Sequence, residues 1–209
     1  METAKLFCEV TGNERVCFLN TGSEAVQAAM RIARTVTGRD KVLVFDKDYH
    51  GNFDPVLVRS VGSGAKRRTL PLAPGIPASA VQDVIVVPWG KPEALDMIRE
   101  VAGELAAVLV EPVQSRQPEW IPVDFVHEVK RISEEYGFLL VFDEVITGLR
   151  QGPHGAQDKI RSSRTSPPTA RFSAAARCRS ASSPASRNTW IPSTAARGSM
   201  ATTRSPRRK

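Results

Sequence analysis

Short continuous apolar runs alternate with stretches of helical period along residues 1–157, and the alternation predicts an α/β fold. The runs are Val16-Cys17-Phe18-Leu19, Lys41 to Phe45, Val84 to Val87, Ala107 to Val110 and Phe138 to Phe142, each rich in Val, Leu or Phe. After the first run, Ala25, Ala28, Ala29, Ile32, Ala33 and Val36 recur at helical spacing and are expected on one buried face. Further helices are expected over Pro92 to Leu105 and Val123 to Tyr136. Residues Glu2 to Thr11 read as an amphipathic helix closed by Gly12, so the chain is expected to begin inside a domain. Strands that are apolar throughout, rather than at every second position, are buried on both faces. With helices between them, they predict a mostly parallel sheet covered on both sides. Such sheets bind ligands beyond the carboxyl ends of their strands.

The pattern stops near residue 157. Residues 158–209 hold 12 of the 29 basic residues and 1 of the 22 acidic ones, which leaves net charges of −4 for 1–157 and +11 for the tail. The tail is Ser, Ala and Arg with few branched aliphatics and no period of 2 or 3.6, so it is expected to be disordered. Two readings of it stand side by side. As a functional segment it would be a basic arm holding nucleic acid or another polyanion unspecifically, since Phe172 and Trp190 are its only aromatics for base stacking. As a non-functional one it is an out-of-frame translation. Cys8, Cys17 and Cys178 are odd in number and lack metal-ligand spacing, which points to reduced thiols and to no metal site. No apolar run is long enough to span a bilayer, so the expected location is the cytoplasm.

Each strand end in the first part carries polar chemistry. Thr21-Gly22-Ser23 follows the first run and opens a helix, where unpaired N–H groups and the dipole favour a phosphate; the same residues also suit an ordinary N-cap. Tyr49-His50-Gly51 follows the second, and Tyr49 there is either a ring-stacking aromatic or a surface loop residue. Glu111-Pro112 and Asp143-Glu144 follow the fourth and fifth, placing carboxylates at the rim of an apolar sheet, where each needs a cation or hydrogen bonds. Asp143 is open to two readings, a capping or ion-paired acid and a carboxylate that keeps a pyridine nitrogen protonated.

Taken in order, Asn20-Thr21-Gly22-Ser23-Glu24-Ala25-Val26, Asp48-Tyr49-His50-Gly51, Glu111-Pro112-Val113 and Phe142-Asp143-Glu144-Val145-Ile146-Thr147-Gly148 resemble class III aminotransferases along about residues 2–157. Glutamate-1-semialdehyde aminomutases and the aminotransferase domains of polyketide and nonribosomal-peptide synthases are the most similar types. The resemblance implies part of the large domain of a fold-type I pyridoxal-phosphate transferase. It also implies pyridoxal 5′-phosphate as cofactor, a small amine or carbonyl substrate, and a homodimer in intact relatives. By it, Thr21, Gly22 and Ser23 belong to the phosphate cup, Tyr49 stacks on the pyridine ring, Asp143 bonds the ring nitrogen, Val145 packs on the other ring face and Glu111 lies on the ring-hydroxyl side.

The sequence departs from the family at one decisive place. The family's Schiff-base lysine follows the aspartate by a little under thirty residues, but here Ser166 to Ser173 contain none and no lysine occurs between Lys159 and Lys209. Arginine cannot replace it, because a guanidinium stays protonated. No catalytic residue is therefore assigned, the cofactor is expected to bind weakly and without a covalent bond, and the chain is expected to be inactive. Joining the third base of each codon to the first two of the next changes the reading of the tail. Trp190 and Ile191 then force Asp, and Met200 and Ala201 force Gly; Pro168 to Ser173 can encode Tyr-Gly-Lys-Val-Leu. Ala195 to Ser205 can encode Gly-Thr-Trp-Gln-Tyr-Gly-Asp-Asp-Ser. The recovered lysine spans the Ala170 and Arg171 codons, 28 residues past Asp143 when counted to Arg171. A single-base deletion between the codons of roughly Gln157 and Arg161 is expected.

Overall fold

A computed structural model describes residues 2–62, 66–161, 171–175 and 188–193. In chain order the helices are α1 (Glu2–Thr11), α2 (Gly22–Thr37), α3 (Ala78–Val81), α4 (Pro92–Val101), α5 (Val123–Tyr136) and α6 (Gln157–Arg161). The strands are β1 (Cys17–Leu19), β2 (Lys41–Phe45), β3 (Val58–Val61), β4 (Arg68–Pro71), β5 (Val84–Val87), β6 (Leu105–Val110), β7 (Leu139–Asp143), β8 (Arg171–Ala175) and β9 (Asn188–Ser193). Seven of them form one sheet in the order β1-β9-β8-β7-β6-β2-β5, and β3 pairs with β4 in a separate antiparallel hairpin. The contacts of β2 with β5 and β6, of β6 with β7 and of β7 with β8 are parallel, whereas β9 runs against both its neighbours.

The pleat explains why whole strands are apolar. Val42 and Val44 of β2, Ala107 and Leu109 of β6, and Val141 of β7 turn to one face and pack with Ala25, Val26, Ala29, Met30 and Ala33 of α2. Leu43, Phe45, Val108, Val110, Leu140 and Phe142 turn to the other and pack with Ile98 of α4 and Val126, Val129 and Ile132 of α5. Each large aliphatic side chain so buried favours folding by about 1.5–3 kcal/mol. Phe45, Trp89 and Phe125 add mutual edge-to-face contacts with ring centroids 4.8–5.6 Å apart. Arg39 ties the second layer to the sheet edge: its guanidinium donates to the carbonyls of Ala102, Leu105 and Tyr136 at 2.9–3.3 Å.

The parallel α/β expectation holds over the first part of the chain, with differences at particular places. The helix expected to reach Leu105 ends at Val101 and passes through a 3₁₀ turn, Ala102–Glu104, because Gly103 is a poor helix former and Leu105 pairs with Lys41 as the first residue of β6. Val36, expected on the buried face of α2, is exposed; Met30 is buried in the stripe, which stops a turn earlier at Ala33. The disorder expected for 158–209 falls largely on residues outside the described ones. The described pieces of the tail lie in α6, β8 and β9. Backbone pairing with β7 and β1, which needs no particular side chain, is what draws these two strands into the sheet.

Candidate active site

Parallel register brings the strand ends to one rim. Val110 of β6 pairs with Phe142 of β7, so Glu111 and Asp143, each the next residue, emerge at the same level. Beyond β2, a turn at Asp46-Lys47 with Lys47 in the left-handed region (φ 74°) swings Asp48, Tyr49 and His50 across the same rim. Residues that the sequence scatters over about a hundred positions thus meet at the sheet's carboxyl edge.

Asp143 is buried, and both its oxygens are engaged. Oδ1 accepts the Val145 N–H at 3.1 Å, and Oδ2 lies 2.9 Å from His50 Nδ1. Since a carboxylate oxygen only accepts, Nδ1 carries a proton. The other ring nitrogen, Nε2, is 3.2 Å from Asp48 Oδ2, an ion-pair contact too bent to count as a hydrogen bond. Burial alone would lower the imidazole's affinity for its proton, but the hydrogen bond to Asp143, the close Asp48 carboxylate and the charges of both outweigh it and push His50 up to about 10. Burial drives the Asp48 carboxyl above the ordinary carboxylate range, against the nearby His50 imidazole and hydrogen bonds from the Gln114 amide and the Glu111 N–H. Gln114 is fully buried; its Nε2 donates to Asp48 Oδ1 at 2.6 Å and to the Asp46 carbonyl at 2.9 Å, while its Oε1 has no partner.

Glu111 is buried and pins two backbones, accepting the Tyr49 N–H at 3.2 Å and the Ser115 N–H at 2.9 Å. Its carboxyl is also raised, by burial first and by the Asp48 charge second. Tyr49, held at its backbone, keeps a side chain that is about half exposed (51%) at the edge of this buried cluster. Val145 is half-buried beside Asp143. Glu144 takes no cation. Its oxygens accept the Ala156 and Gln157 N–H groups at 3.0 and 3.2 Å and the Thr147 hydroxyl, which fastens the loop from 144 to 157 onto the end of β7.

Thr21, Gly22 and Ser23 open α2 as the sequence implies. Thr21 is the N-cap and its hydroxyl oxygen accepts the Glu24 N–H at 3.1 Å, while the Glu24 carboxylate accepts the Asn20 and Thr21 N–H groups. That leaves the N–H groups of Gly22 and Ser23 at the open first turn, together with the hydroxyl protons of Thr21 and Ser23. Ser23 Oγ accepts the Asn52 N–H at 2.9 Å, and this contact joins the α2 N-terminus to the Tyr49–Asn52 loop. Gly51 makes it possible: at φ 110°, a Cβ there would lie 2.5 Å from Ser23 Oγ and 2.8 Å from its Cα.

The sequence profile of the family Aminotransferase class-III matches residues 1–158. The chain belongs to the class-III aminotransferase family. Curated relatives include glutamate-1-semialdehyde 2,1-aminomutase of Caldivirga maquilingensis, 46% identical over 146 residues that make up 69% of this chain and 34% of that protein. The aminomutase of Pyrobaculum calidifontis is 43% identical over 155 residues, 73% and 35% of the two chains. An omega-transaminase from Sphaerobacter thermophilus superposes with a TM-score of 0.71 at 30% identity, over 82% of this chain and 40% of its own. The class-III chain described here therefore spans about a third of the length of those curated relatives.

Family members depend on pyridoxal 5′-phosphate, and the rim offers groups suited to it. A buried carboxylate, an aromatic side chain half open beside it, a buried amide oxygen without a partner, and a helix N-terminus with free first-turn donors are brought to one edge. Among the described residues no cluster suited to a metal occurs. The motif reading named Thr21, Gly22, Ser23, Tyr49, Glu111, Asp143 and Val145, but gave no part to Asp48, His50 and Gln114, which the structure joins to Asp143 through hydrogen bonds and an ion-pair contact. The available signal was the one-residue spacing of Asp48 and His50 in a loop that leaves a strand end. Nothing in the linear order says that His50 bridges to an acid 93 positions away.

Proposed function

We propose that residues 2–157 form the cofactor-ring side of an amino-transfer site of the class-III type, acting on a small amine or carbonyl compound. The observation that carries this reading is the buried Asp143 carboxylate at the end of β7, tethered on both oxygens at the level of Glu111 and beside the half-exposed Tyr49. Pyridoxal 5′-phosphate, when bound, supplies an electron-withdrawing pyridinium that weakens the bonds at the amine-bearing carbon. The chain's own residues would do the holding. Asp143 would face the ring nitrogen, Tyr49 and Val145 would flank the ring, and Gly22, Ser23 and the Thr21 and Ser23 hydroxyls would take the phosphate. Glu111 would keep the Tyr49 backbone in place, as its hydrogen bond already does.

The reading stops short of catalysis. Amino transfer in this family needs a primary amine that can anchor the cofactor and move a proton at the substrate carbon, and no lysine lies between Lys159 and Lys209. Titration with pyridoxal 5′-phosphate, followed by borohydride reduction and peptide mapping, tests the reading. Expected are weak, reversible binding that Asp143→Ala abolishes, no transamination, and no reduced adduct within reach of Asp143. Binding that Asp143→Ala leaves unchanged would overturn the site, and a specific reduced adduct beside Asp143 would overturn the predicted inactivity.

A further inference from the structure

The family motif assigns a task to Asp143 but none to the buried groups behind it. His50 is 3% exposed, and each of its ring nitrogens faces a carboxylate: Asp143 at 2.9 Å on one side and Asp48 at 3.2 Å on the other. Two further contacts hold Asp48 in its place, from the Gln114 amide at 2.6 Å and from the Glu111 N–H at 3.4 Å. Glu111 is the remaining acid of the cluster, and its carboxylate is occupied by the Tyr49 and Ser115 N–H groups. Both carboxylates are buried and face opposite nitrogens of one imidazole, and a buried carboxylate stays ionised most readily beside a cation. The imidazole is the only cationic group that this set of contacts supplies.

We propose that His50 is a positioning residue, an imidazolium clamped between Asp48 and Asp143 that keeps the Asp143 carboxylate ionised and fixes its rotamer at the sheet edge. The triad of Asp48, His50 and Asp143 then carries a net single negative charge. That is the charge complementary to a protonated pyridine ring, and this part of the inference rests on the cofactor reading proposed above. Without the imidazolium, one of the two acids must take up a proton. A protonated Asp143 would be a donor, suited to an unprotonated ring nitrogen, and the electronic purpose of the carboxylate would be lost. Asp48 acts one step further back, through His50: its charge is what retains the second proton on the imidazole.

The test has two arms. In the first, the full chain without cofactor is followed by ¹H–¹⁵N NMR of its imidazole rings, with His50 distinguished from His127 and His154 by substitution. At pH 8 the His50 ring is expected to carry protons on both nitrogens, and Asp48→Asn is expected to lower its titration midpoint by more than one pH unit. A singly protonated His50 ring at pH 8, or a midpoint that ignores Asp48→Asn, overturns the proposal. In the second arm, pyridoxamine 5′-phosphate labelled with ¹⁵N in the ring, which forms no lysine adduct, is bound to the chain and to His50→Gln. The ring nitrogen should read as protonated with the unaltered chain and move towards its unprotonated shift with His50→Gln; an unchanged shift overturns the link to the ring. Failure of the unaltered chain to bind pyridoxamine 5′-phosphate at millimolar concentration overturns the cofactor reading instead, and the first arm still decides the clamp.

Discussion

At the scale of single residues, the site is a set of buried charges whose partners are individually specified, and this makes its pH response predictable in sign. His50 binds its proton more tightly folded than unfolded, so its contribution to stability is complete below pH 6.5 and is lost as the pH rises through about 10. Asp48 and Glu111 are likewise raised, and their contributions are fully present below the ordinary carboxylate range and lost as the pH rises above it. All three slopes have the same sign. The urea midpoint is expected to fall steadily between pH 6.5 and 10, with a slope near 1.4 kcal/mol per pH unit from His50 at its steepest. His50→Gln should flatten the fall in that window, and a midpoint that rises with pH there would contradict the assignment. Gly51 offers a separate test. Its left-handed backbone and the closeness of Ser23 leave no room for a Cβ, so Gly51→Ala is expected to cost about 2 kcal/mol or more. The cost is read from the urea midpoint and is expected to coincide with loss of pyridoxal 5′-phosphate binding, since the loop carrying Tyr49 and His50 must shift. What the sequence made legible at this scale was which residues have chemistry; which of them pair was hidden, because pairing is set by strand register and by a single turn at Lys47.

At the scale of elements, legibility followed the strength of the period. β2 and β5 fall within the residues expected, as does α5, because four- or five-residue runs rich in β-branched residues and a strongly amphipathic helix each leave a clear pattern. The β3–β4 hairpin was not legible: Val58–Val61 and Arg68–Pro71 are short, only partly buried and interrupted by charged residues. α3 is a single turn and carries no periodic signal. Two joints between elements can be measured. Thr21→Ala removes half of the capping box on α2 and is expected to lower stability by about 1 kcal/mol. Thr21→Ser, which keeps the hydroxyl, should restore most of it, so equal losses in both variants would argue against the cap. Arg39→Ala removes all three hydrogen bonds to the carbonyls of Ala102, Leu105 and Tyr136 and is expected to cost about 2–3 kcal/mol. Arg39→Lys should recover only part of this, because one ammonium on a flexible stem cannot span three carbonyls as a planar guanidinium does. Thermal or urea unfolding of both variants checks it.

At the scale of the whole molecule, the chain joins a legible α/β part, residues 1–157, to a tail whose sequence carries no strand or helix period, and the junction coincides with the end of the family match at residue 158. The backbone register sharpens the point. Asp143 pairs with Ala174 of β8, while Arg171, which shares the codons that yield a lysine in the shifted frame, pairs with Leu140 at the other end of the strand. In the chain as it stands, the position 28 residues past Asp143 is therefore three residues back from the rim, and it is an arginine. A single deleted base would account for this with one event. It would explain why an acidic first part is followed by an Arg- and Ser-rich one, why the anchoring lysine is missing, and why the shifted reading restores Gly-Lys at family spacing together with the forced Asp from Trp190 and Ile191. Degenerate third bases make much of the remaining agreement easy to reach, so the forced residues and the spacing carry the weight. Sequencing the DNA from the Gln157 codon onward is expected to find an open shifted frame spelling Gly-Lys across the Thr169 to Arg171 codons. Protein expressed with one base restored should acquire a borohydride-reducible pyridoxal adduct on that lysine, which the present chain is expected not to form. A stop codon in the shifted frame soon after Arg161, or third bases that encode no lysine there, would end the frameshift explanation and leave the tail as a basic extension of a class-III fragment.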